Sequence, residues 1–185
     1  MASIPRPTAA DLIRARGLGL PDVIGPGLRV LFCGVNPGLY SAAVGHNFGR
    51  PGNRFWKALH LSGFTPRLLA PAEEASLLDL GLGITNLCPR ATARAEELTA
   101  AELARGGRAF ATKVRTYRPT VVAVLGVAAY RLAFDRADAR VGPQAEDIGG
   151  RPAWVLPNPS GLNAHYGLAA LALHFRELRE ALGSA

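Results

Sequence analysis

The chain has 185 residues, enough for one compact domain but too few for two ordinary ones, and its 49% apolar and 19% charged residues exclude a disordered or fibrous protein. No apolar run approaches the roughly 20 residues of a membrane-spanning helix, and the first residues lack the pattern of a secretory signal, so we expect no association with a membrane. The formal net charge of +7 favours a polyanionic partner.

Hydrophobic periodicity and chain breakers predict helices and strands in alternation. Residues 1–27 are expected to form a peripheral N-terminal extension, because a short helical patch there is followed by glycine and proline breakers. The predicted strands are 28–35, 83–88, 120–125 and 153–156. The predicted helices are 9–16, 53–61, 73–80, 99–117, 127–134 and 167–182, the fourth opened by a capping box of Thr99 and Glu102.

Nearly continuous apolar strands are typical of parallel sheets buried on both faces. We therefore predict an α/β fold, a three-layer α/β/α sandwich with a central, mainly parallel four-stranded sheet. Ligands of such sheets bind beyond the carboxyl ends of the strands. Two irregular segments follow predicted strands, a glycine-rich loop at 36–52 and a second loop at 157–165, and we expect the site between them.

The charged and sulfur-containing residues narrow the chemistry. Lys57 and Lys113 are the only lysines, so arginine supplies nearly all of the positive charge; a guanidinium suits phosphate, although a GC-rich genome would give the same bias. Cys33 and Cys88 lie in apolar runs and are predicted to be buried free thiols, too few for a zinc or iron–sulfur site. We expect no metal, no cofactor and a reducing cytoplasmic location.

The two loops carry the most specific signal. The first motif reads GVNPGLYSAAVGHNFGRPGNRFW at 34–56, and the second reads LPNPSGLN at 156–163. Together they resemble the signature segments of the mismatch-specific uracil-DNA glycosylases, the group within the uracil-DNA glycosylase superfamily that includes thymine-DNA glycosylase. The likeness extends through GFT at 63–65, GITN at 83–86 and the GGR helix at 106–108.

The resemblance implies a monofunctional glycosylase of base-excision repair, with residues 28–185 as its catalytic domain. Such an enzyme flips out and hydrolyses uracil, and related lesions such as ethenocytosine and weakly thymine, from G-mismatched double-stranded DNA. It is expected to act as a monomer without a cofactor. A catalytically silent DNA-binding module of the same fold, or a small-ligand or nucleotide-binding α/β protein, stays open as an alternative.

Asn36 aligns with the family's catalytic asparagine. Cleavage of an N-glycosidic bond passes through a cation-like sugar and uracil leaves as a fairly stable anion, so a positioned water suffices as nucleophile. An amide oxygen can hold that water but takes up its proton poorly, which predicts a slow enzyme. On the residues alone, Asn36 would be a turn residue before a proline.

Four more positions align with the family's base pocket. Phe48 matches the aromatic that stacks on the flipped base, although packing against Phe55 or Trp56 is the alternative. Backbone groups of Val35 and Phe48 are expected to bind the uracil edge. Gly38 stands where strictly uracil-specific relatives carry a bulky tyrosine, and the missing side chain predicts tolerance of larger bases. Ser41 matches a residue of the family's base pocket.

Leu162 aligns with the wedge that fills the stack vacated by a flipped base; the alternative is a core residue in a tight turn. Backbone groups of Gly161 and Asn163 are then expected to meet the widowed guanine. Relatives often carry arginine shortly after the wedge, where this chain has Ala164 and His165. The segment 87–92 also departs from the better-known members and is a candidate pocket lining.

The remaining candidates are cations near the two loops. Arg50, Arg54 and Arg90 are predicted DNA phosphate ligands, with a solvated surface role as the alternative. The helix that contains Arg54 is also expected to brace the first loop. His46 borders that loop, where it could contact phosphate or cap a turn; the same holds for His165 at the second loop.

Overall fold

A computed structural model describes residues 6–183. The helices are α1 (Ala9–Arg14), α2 (Leu39–Val44), α3 (Phe55–Leu61), α4 (Ala100–Tyr117), α5 (Val127–Phe134) and α6 (Leu168–Gly183). The strands are β1 (Val30–Gly34), β2 (Leu82–Asn86), β3 (Val121–Leu125), β4 (Gly142–Pro143) and β5 (Ala153–Leu156). Two 3₁₀ segments span Pro71–Leu80 and Ala95–Glu97. Within these bounds no helix combines the length and apolar character needed to cross a membrane.

The sheet has the strand order β2-β1-β3-β5-β4. The first four strands in that order are mutually parallel, and β4 pairs with β5 antiparallel. The predicted α/β fold with a mainly parallel sheet is therefore confirmed, but the sheet has five strands rather than four. The two-residue β4 was missed because it is too short to show periodicity, and its Pro143 is tolerated only because β4 is an edge strand.

Alternate residues of each strand face opposite helical layers. On one face Phe32 lies among α3 and α6, with rings of Phe55 and Phe175 within 5.7 Å of it, centroid to centroid. On the other face Cys33 lies in a cluster with residues of α4 and α5, such as Phe110 and Tyr130. Burial on both faces explains why the strands are almost uniformly apolar.

Two predicted segments differ in structure. Residues 39–44, placed in a glycine-rich loop, form α2, which Gly38 precedes and Gly45 ends in the left-handed conformation. The glycines on either side mark the ends of a short helix. Because glycines are frequent throughout 36–52, the whole segment was predicted to be a loop. The predicted helix at 73–80 lies within the 3₁₀ segment that begins at Pro71. Periodicity over so few residues cannot separate the two helix types.

The N-terminal residues contact the sheet and the first loop. Val23 forms an antiparallel bridge with Ile84 of β2, and Ala15 is buried in a cluster with Ala42 and Ala91. The first five residues of the predicted 1–27 extension lie outside the described residues. The boundary at residue 27 stays a prediction.

The two cysteines are buried free thiols, as predicted. Burial raises the pKa of the Cys33 thiol well above its ordinary value and also raises the pKa of the Cys88 thiol. Both therefore stay protonated at neutral pH and pack in the hydrophobic cluster that joins the sheet to α4 and α5.

Gly106 allows α4 to approach the main chain that leaves β2. A Cβ added there would lie 2.3 Å from the Leu87 carbonyl oxygen, so Gly106→Ala should lower the free energy of unfolding by about 1–3 kcal/mol. Urea unfolding followed by circular dichroism measures the change. A gain of about 0.5–1 kcal/mol, the usual effect of alanine for glycine within a helix, would contradict the close approach.

Candidate active site

The parallel strands end at one edge of the sheet, and the residues that follow them meet there. Gly34 is the register partner of Asn86 at the ends of β1 and β2. A Cβ added at Gly126, after β3, would lie 3.5 Å from Val35 Cγ2 and 3.7 Å from Asn158 Cβ. The chain segments after β1, β3 and β5 therefore surround one point beyond the sheet.

The two loops predicted to border a site lie against each other. The Arg54 N–H donates to the Pro159 carbonyl at 3.0 Å. A Cβ added at Gly161 would lie 2.6 Å from the Gly52 carbonyl oxygen, so glycine at 161 permits this contact. Segments that are about a hundred residues apart in the chain therefore form one surface.

The Asn36 side chain is held in one orientation. Its Nδ2 donates to the Arg90 carbonyl at 3.0 Å and to Thr92 Oγ1 at 2.7 Å. Thr92 Oγ1 donates its own proton to the Arg94 carbonyl at 2.7 Å, so this hydroxyl accepts from Asn36. Because both neighbours are acceptors, the nitrogen must face them, and the amide cannot be flipped without losing both bonds.

In this orientation the side-chain oxygen of Asn36, Oδ1, is available to solvent. No donor among residues 6–183 reaches Oδ1. The buried polar side-chain atoms of that part of the chain without a partner are Trp56 Nε1 and Arg179 Nε, so Asn36 Oδ1 is not a buried orphan. An accessible acceptor with a fixed direction can hold a water molecule.

The segment 87–92 holds both the Asn36 amide and the backbone beside it. The Thr92 N–H donates to the Pro37 carbonyl, and the Leu39 N–H donates to the Thr92 carbonyl, each at 3.2 Å. Arg90 Nε forms an ion pair with Glu102 Oε1 of α4 at 2.5 Å. This hydrogen bond is the largest cause that lowers the pKa of Glu102 to about 2. Sequence reasoning did not assign any of these contacts, because they join residues that no local pattern relates.

Phe48 lies next to the end of β1 in a strained conformation. Its φ is 53°, a left-handed value that is costly for a bulky residue. One face of its ring stacks on Phe55 with centroids 4.1 Å apart. For that face, the alternative that Phe48 packs against Phe55 is therefore correct. A Cβ added at Gly34 would lie 3.4 Å from Phe48 Cζ. No backbone carbonyl of residues 6–183 accepts from the Phe48 N–H.

Neighbouring hydrogen bonds keep the Phe48 turn in place. Ser41 Oγ accepts from the Gly49 N–H at 3.0 Å. The buried Glu74 carboxylate accepts from the Asn47 N–H at 2.9 Å and from its Nδ2 at 3.0 Å, and it contacts His46 Nδ1 at 3.0 Å. The predicted pocket residue Ser41 therefore supports the turn, and His46 binds a carboxylate of its own chain.

Asn86 is a second amide at this edge, and sequence reasoning missed its role. Its Nδ2 donates to Asn47 Oδ1 at 3.0 Å. A Cβ added at Gly34 would lie 2.5 Å from Asn86 Oδ1, so the Asn86 amide packs on Gly34. Phe48 packs on the same side of Gly34. The only signal was the position of Asn86 as the last residue of GITN, at the end of a strand.

Val35 and Gly38 flank Asn36 differently. Val35 is buried, and its carbonyl accepts from the Cys88 N–H at 2.9 Å, which leaves one lone pair on that oxygen. Gly38 is exposed, and a Cβ there would meet nothing within 4 Å. A Cβ at 38 would therefore enter open space, two residues after Asn36.

The second loop presents Leu162 to solvent. Its exposure is 66%, which excludes the core alternative. The Asn163 N–H donates to the Ser160 carbonyl at 3.0 Å, and the Asn163 carbonyl accepts from Arg54 at 2.9 Å, so both main-chain groups of Asn163 already have partners. Gly161 is exposed beside them. The wedge role of Leu162 and the guanine contacts stay predictions.

Some of the cationic side chains near the two loops already bind groups of the protein, and others are exposed to solvent. Arg54 donates to carbonyl oxygens of the second loop, and Arg90 is paired with Glu102, so a phosphate would have to displace these partners. Arg50 is exposed at the surface. His165 is also exposed, and its N–H donates to Asn163 Oδ1 at 3.2 Å.

A cavity of about 460 Å³ lies beside the Phe48 turn, a size typical of ligand sites. Phe48, Arg50 and Trp56 line it together with Tyr40, whereas Asn36 does not. Among residues 6–183 no group of three or more histidine, cysteine, aspartate or glutamate side chains is arranged to hold a metal ion.

Comparisons with known proteins agree with this architecture. The model of the Uracil DNA glycosylase superfamily matches residues 21–183, and the chain therefore belongs to that superfamily. The fold is similar to the solution NMR structure of a Methanosarcina acetivorans protein that carries a provisional assignment as a uracil DNA glycosylase. That match has a TM-score of 0.55 at 17% identity and covers 88% of this chain and 98% of the other.

Thr92→Val should free the Asn36 amide while nearly preserving side-chain shape. Loss of both hydrogen bonds of Thr92 Oγ1, from Asn36 Nδ2 and to the Arg94 carbonyl, should lower the free energy of unfolding by about 1–3 kcal/mol, and the Asn36 Nδ2 protons should exchange faster with water. Heteronuclear NMR of the side-chain amides measures this, with Thr92→Ser as the control that keeps the hydroxyl. Equal exchange in the valine and serine variants would contradict the assigned contact.

Proposed function

We propose that the protein is a monofunctional DNA glycosylase that hydrolyses uracil from G-mismatched duplex DNA, with Asn36 as the residue that positions the attacking water. Superfamily membership supports the reaction class. The observation that carries the proposal is the locked Asn36 amide, whose Nδ2 is bound to Arg90 and Thr92 while its oxygen is open.

The reaction needs a placed nucleophile more than a strong base. The N-glycosidic bond breaks as the sugar gains positive charge and uracil leaves as an anion. Water then adds to the sugar carbon through its oxygen, and the proton that it loses neutralises the uracil anion. Asn36 Oδ1 can accept one hydrogen bond from that water and so hold its lone pair toward the sugar. Because an amide is a poor base, we expect turnover to be slow.

The flipped base is proposed to lie against the free face of Phe48. The opposite face is already stacked on Phe55, so the ring is held in place before substrate binds. The Phe48 N–H and the Val35 carbonyl are candidates for the polar edge of uracil, and Asn86 is a further candidate because its amide lies over the adjacent Gly34.

Leu162 is proposed to fill the gap left by the flipped base. Its side chain is exposed on a loop that lies against the first motif, as a wedge requires. The net charge of +7 supports binding to a polyanion, with Arg50 as the open cation of the three predicted phosphate ligands. We propose that the protein acts as a monomer in the cytoplasm. The two free thiols support a reducing compartment.

Asn36→Ala should reduce uracil release at least about 100-fold, since it removes the group that positions the water. Release is measured under single-turnover conditions with a G·U duplex, by alkaline cleavage of the abasic product. Duplex affinity, measured by fluorescence anisotropy, should change little and should weaken steeply with added salt.

The wild-type protein and the Asn36→Ala variant are purified identically, so that a contaminating glycosylase would appear in both. Undiminished release by the variant would remove Asn36 from the mechanism. If the wild-type protein binds the duplex but releases no base, the chain is a DNA-binding module rather than an enzyme.

Gly38→Tyr tests the proposed tolerance of larger bases. A Cβ at 38 enters open space, and we expect the ring attached to it to exclude substituents at the base edge. We expect release of ethenocytosine and thymine opposite guanine to fall about 10- to 200-fold, with much less change for uracil. Parallel time courses on the three duplexes measure the ratios, and a uniform fall would argue that Gly38 does not select the base.

A further inference from the structure

The loop at Pro159–Tyr166 has hydrogen bonds of its own only between residues a few positions apart. The Asn163 N–H donates to the Ser160 carbonyl and the Asn163 side chain to the Asn158 carbonyl, each at 3.0 Å. The Leu162 N–H donates to Ser160 Oγ at 3.3 Å, and the His165 N–H donates to Asn163 Oδ1 at 3.2 Å. Leu162 at the tip of the loop is 66% exposed. These local bonds fix the turn but do not hold the loop against the rest of the protein, which requires contacts to another element.

Arg54 supplies that support from the first motif. Its Nη2 donates to the Ser160 carbonyl and, at 2.9 Å, to the Asn163 carbonyl. Its Nη1 donates to the Tyr166 carbonyl at 2.5 Å, and its Nε reaches the Pro159 carbonyl at 3.4 Å. One guanidinium therefore binds the start, middle and end of the loop.

The chemistry of these contacts suits arginine alone. All four acceptors are main-chain carbonyl oxygens, and only the planar guanidinium fork offers enough fixed donors to reach them together. In a trans peptide the C=O and the next N–H point in opposite directions. Carbonyls of Ser160 and Asn163 that face Arg54 therefore turn the N–H groups of Gly161 and Ala164 away from it.

We propose that Arg54 is the positioning residue of the wedge loop, holding residues 159–166 in the conformation from which Leu162 enters the base stack. The proposal rests on the proposed glycosylase function. A loop ordered before DNA binds does not lose that conformational freedom during flipping, so Arg54 lowers the free-energy cost of extruding a paired base. It replaces the phosphate contact predicted for this residue, because the donors are already bound to the loop.

The test compares uracil release from duplex and single-stranded DNA, since a single strand needs no wedge. Arg54→Met should slow single-turnover release from a G·U duplex at least about tenfold, because hydrogen bonds to a charged group are lost, and should change release from the single strand much less. Arg54→Lys, which keeps the charge but not the fork, should lie between. Arg108→Met, an exposed charge loss on α4, controls for charge and should affect both substrates equally.

A double-mutant cycle asks whether Arg54 acts through the wedge. In a Leu162→Ala background, Arg54→Met should have little further effect on the duplex rate. Amide hydrogen exchange on the free proteins should be faster at residues 159–167 in Arg54→Met, whatever the activity.

Several results would overturn the proposal. An equal loss on both DNA forms, additive effects with Leu162→Ala, or unchanged loop exchange would show that Arg54 does not position the wedge, while the glycosylase function would stand. Absence of uracil release by the wild-type protein from the G·U duplex would instead refute the proposed function, and this role with it. Thermal unfolding of each variant identifies a rate loss that is due to misfolding.

Discussion

Both protons of the Asn36 amide are bound to acceptors on one neighbouring segment, and the rest of the site depends on this constraint. The Arg90 carbonyl and Thr92 Oγ1 accept from the amide nitrogen, and neither has a proton to give to the amide oxygen, because the hydroxyl donates to the Arg94 carbonyl. The oxygen is therefore the atom left for solvent. A freely rotating asparagine after a strand would place neither atom reliably, and a nucleophile held by it would be correctly placed only part of the time.

Two arginines beside the site bind groups of the protein itself. Arg54 binds carbonyl groups of the second loop, and Arg90 ties the segment after β2 to α4 through Glu102. A guanidinium already bound to protein acceptors must give them up before it can bind a phosphate. Attraction to a polyanion then depends on the overall positive charge and on exposed residues such as Arg50.

The base-stacking candidate carries strain that its surroundings hold in place. Phe48 has a left-handed φ, and Ser41 and Glu74 bind the main chain on either side of it. Strained residues of this kind persist where neighbouring contacts fix them, and they often lie at functional sites. The stacking of Phe48 on Phe55 links the turn to the hydrophobic core, so loop and core support each other.

The order of strands and helices, the buried strands and the loops beside the sheet edge follow from local patterns, because apolar periodicity and breakers act within a few residues. The short elements α2 and β4 were not predicted, because α2 has only six residues and β4 only two, too few to show periodicity. The asparagine could be singled out in advance through its motif, but the direction of its oxygen could not. That direction depends on Arg90 and Thr92, 54 and 56 residues away, and the wedge loop depends on an arginine 109 residues before Asn163. Only folding brings such groups within hydrogen-bonding distance.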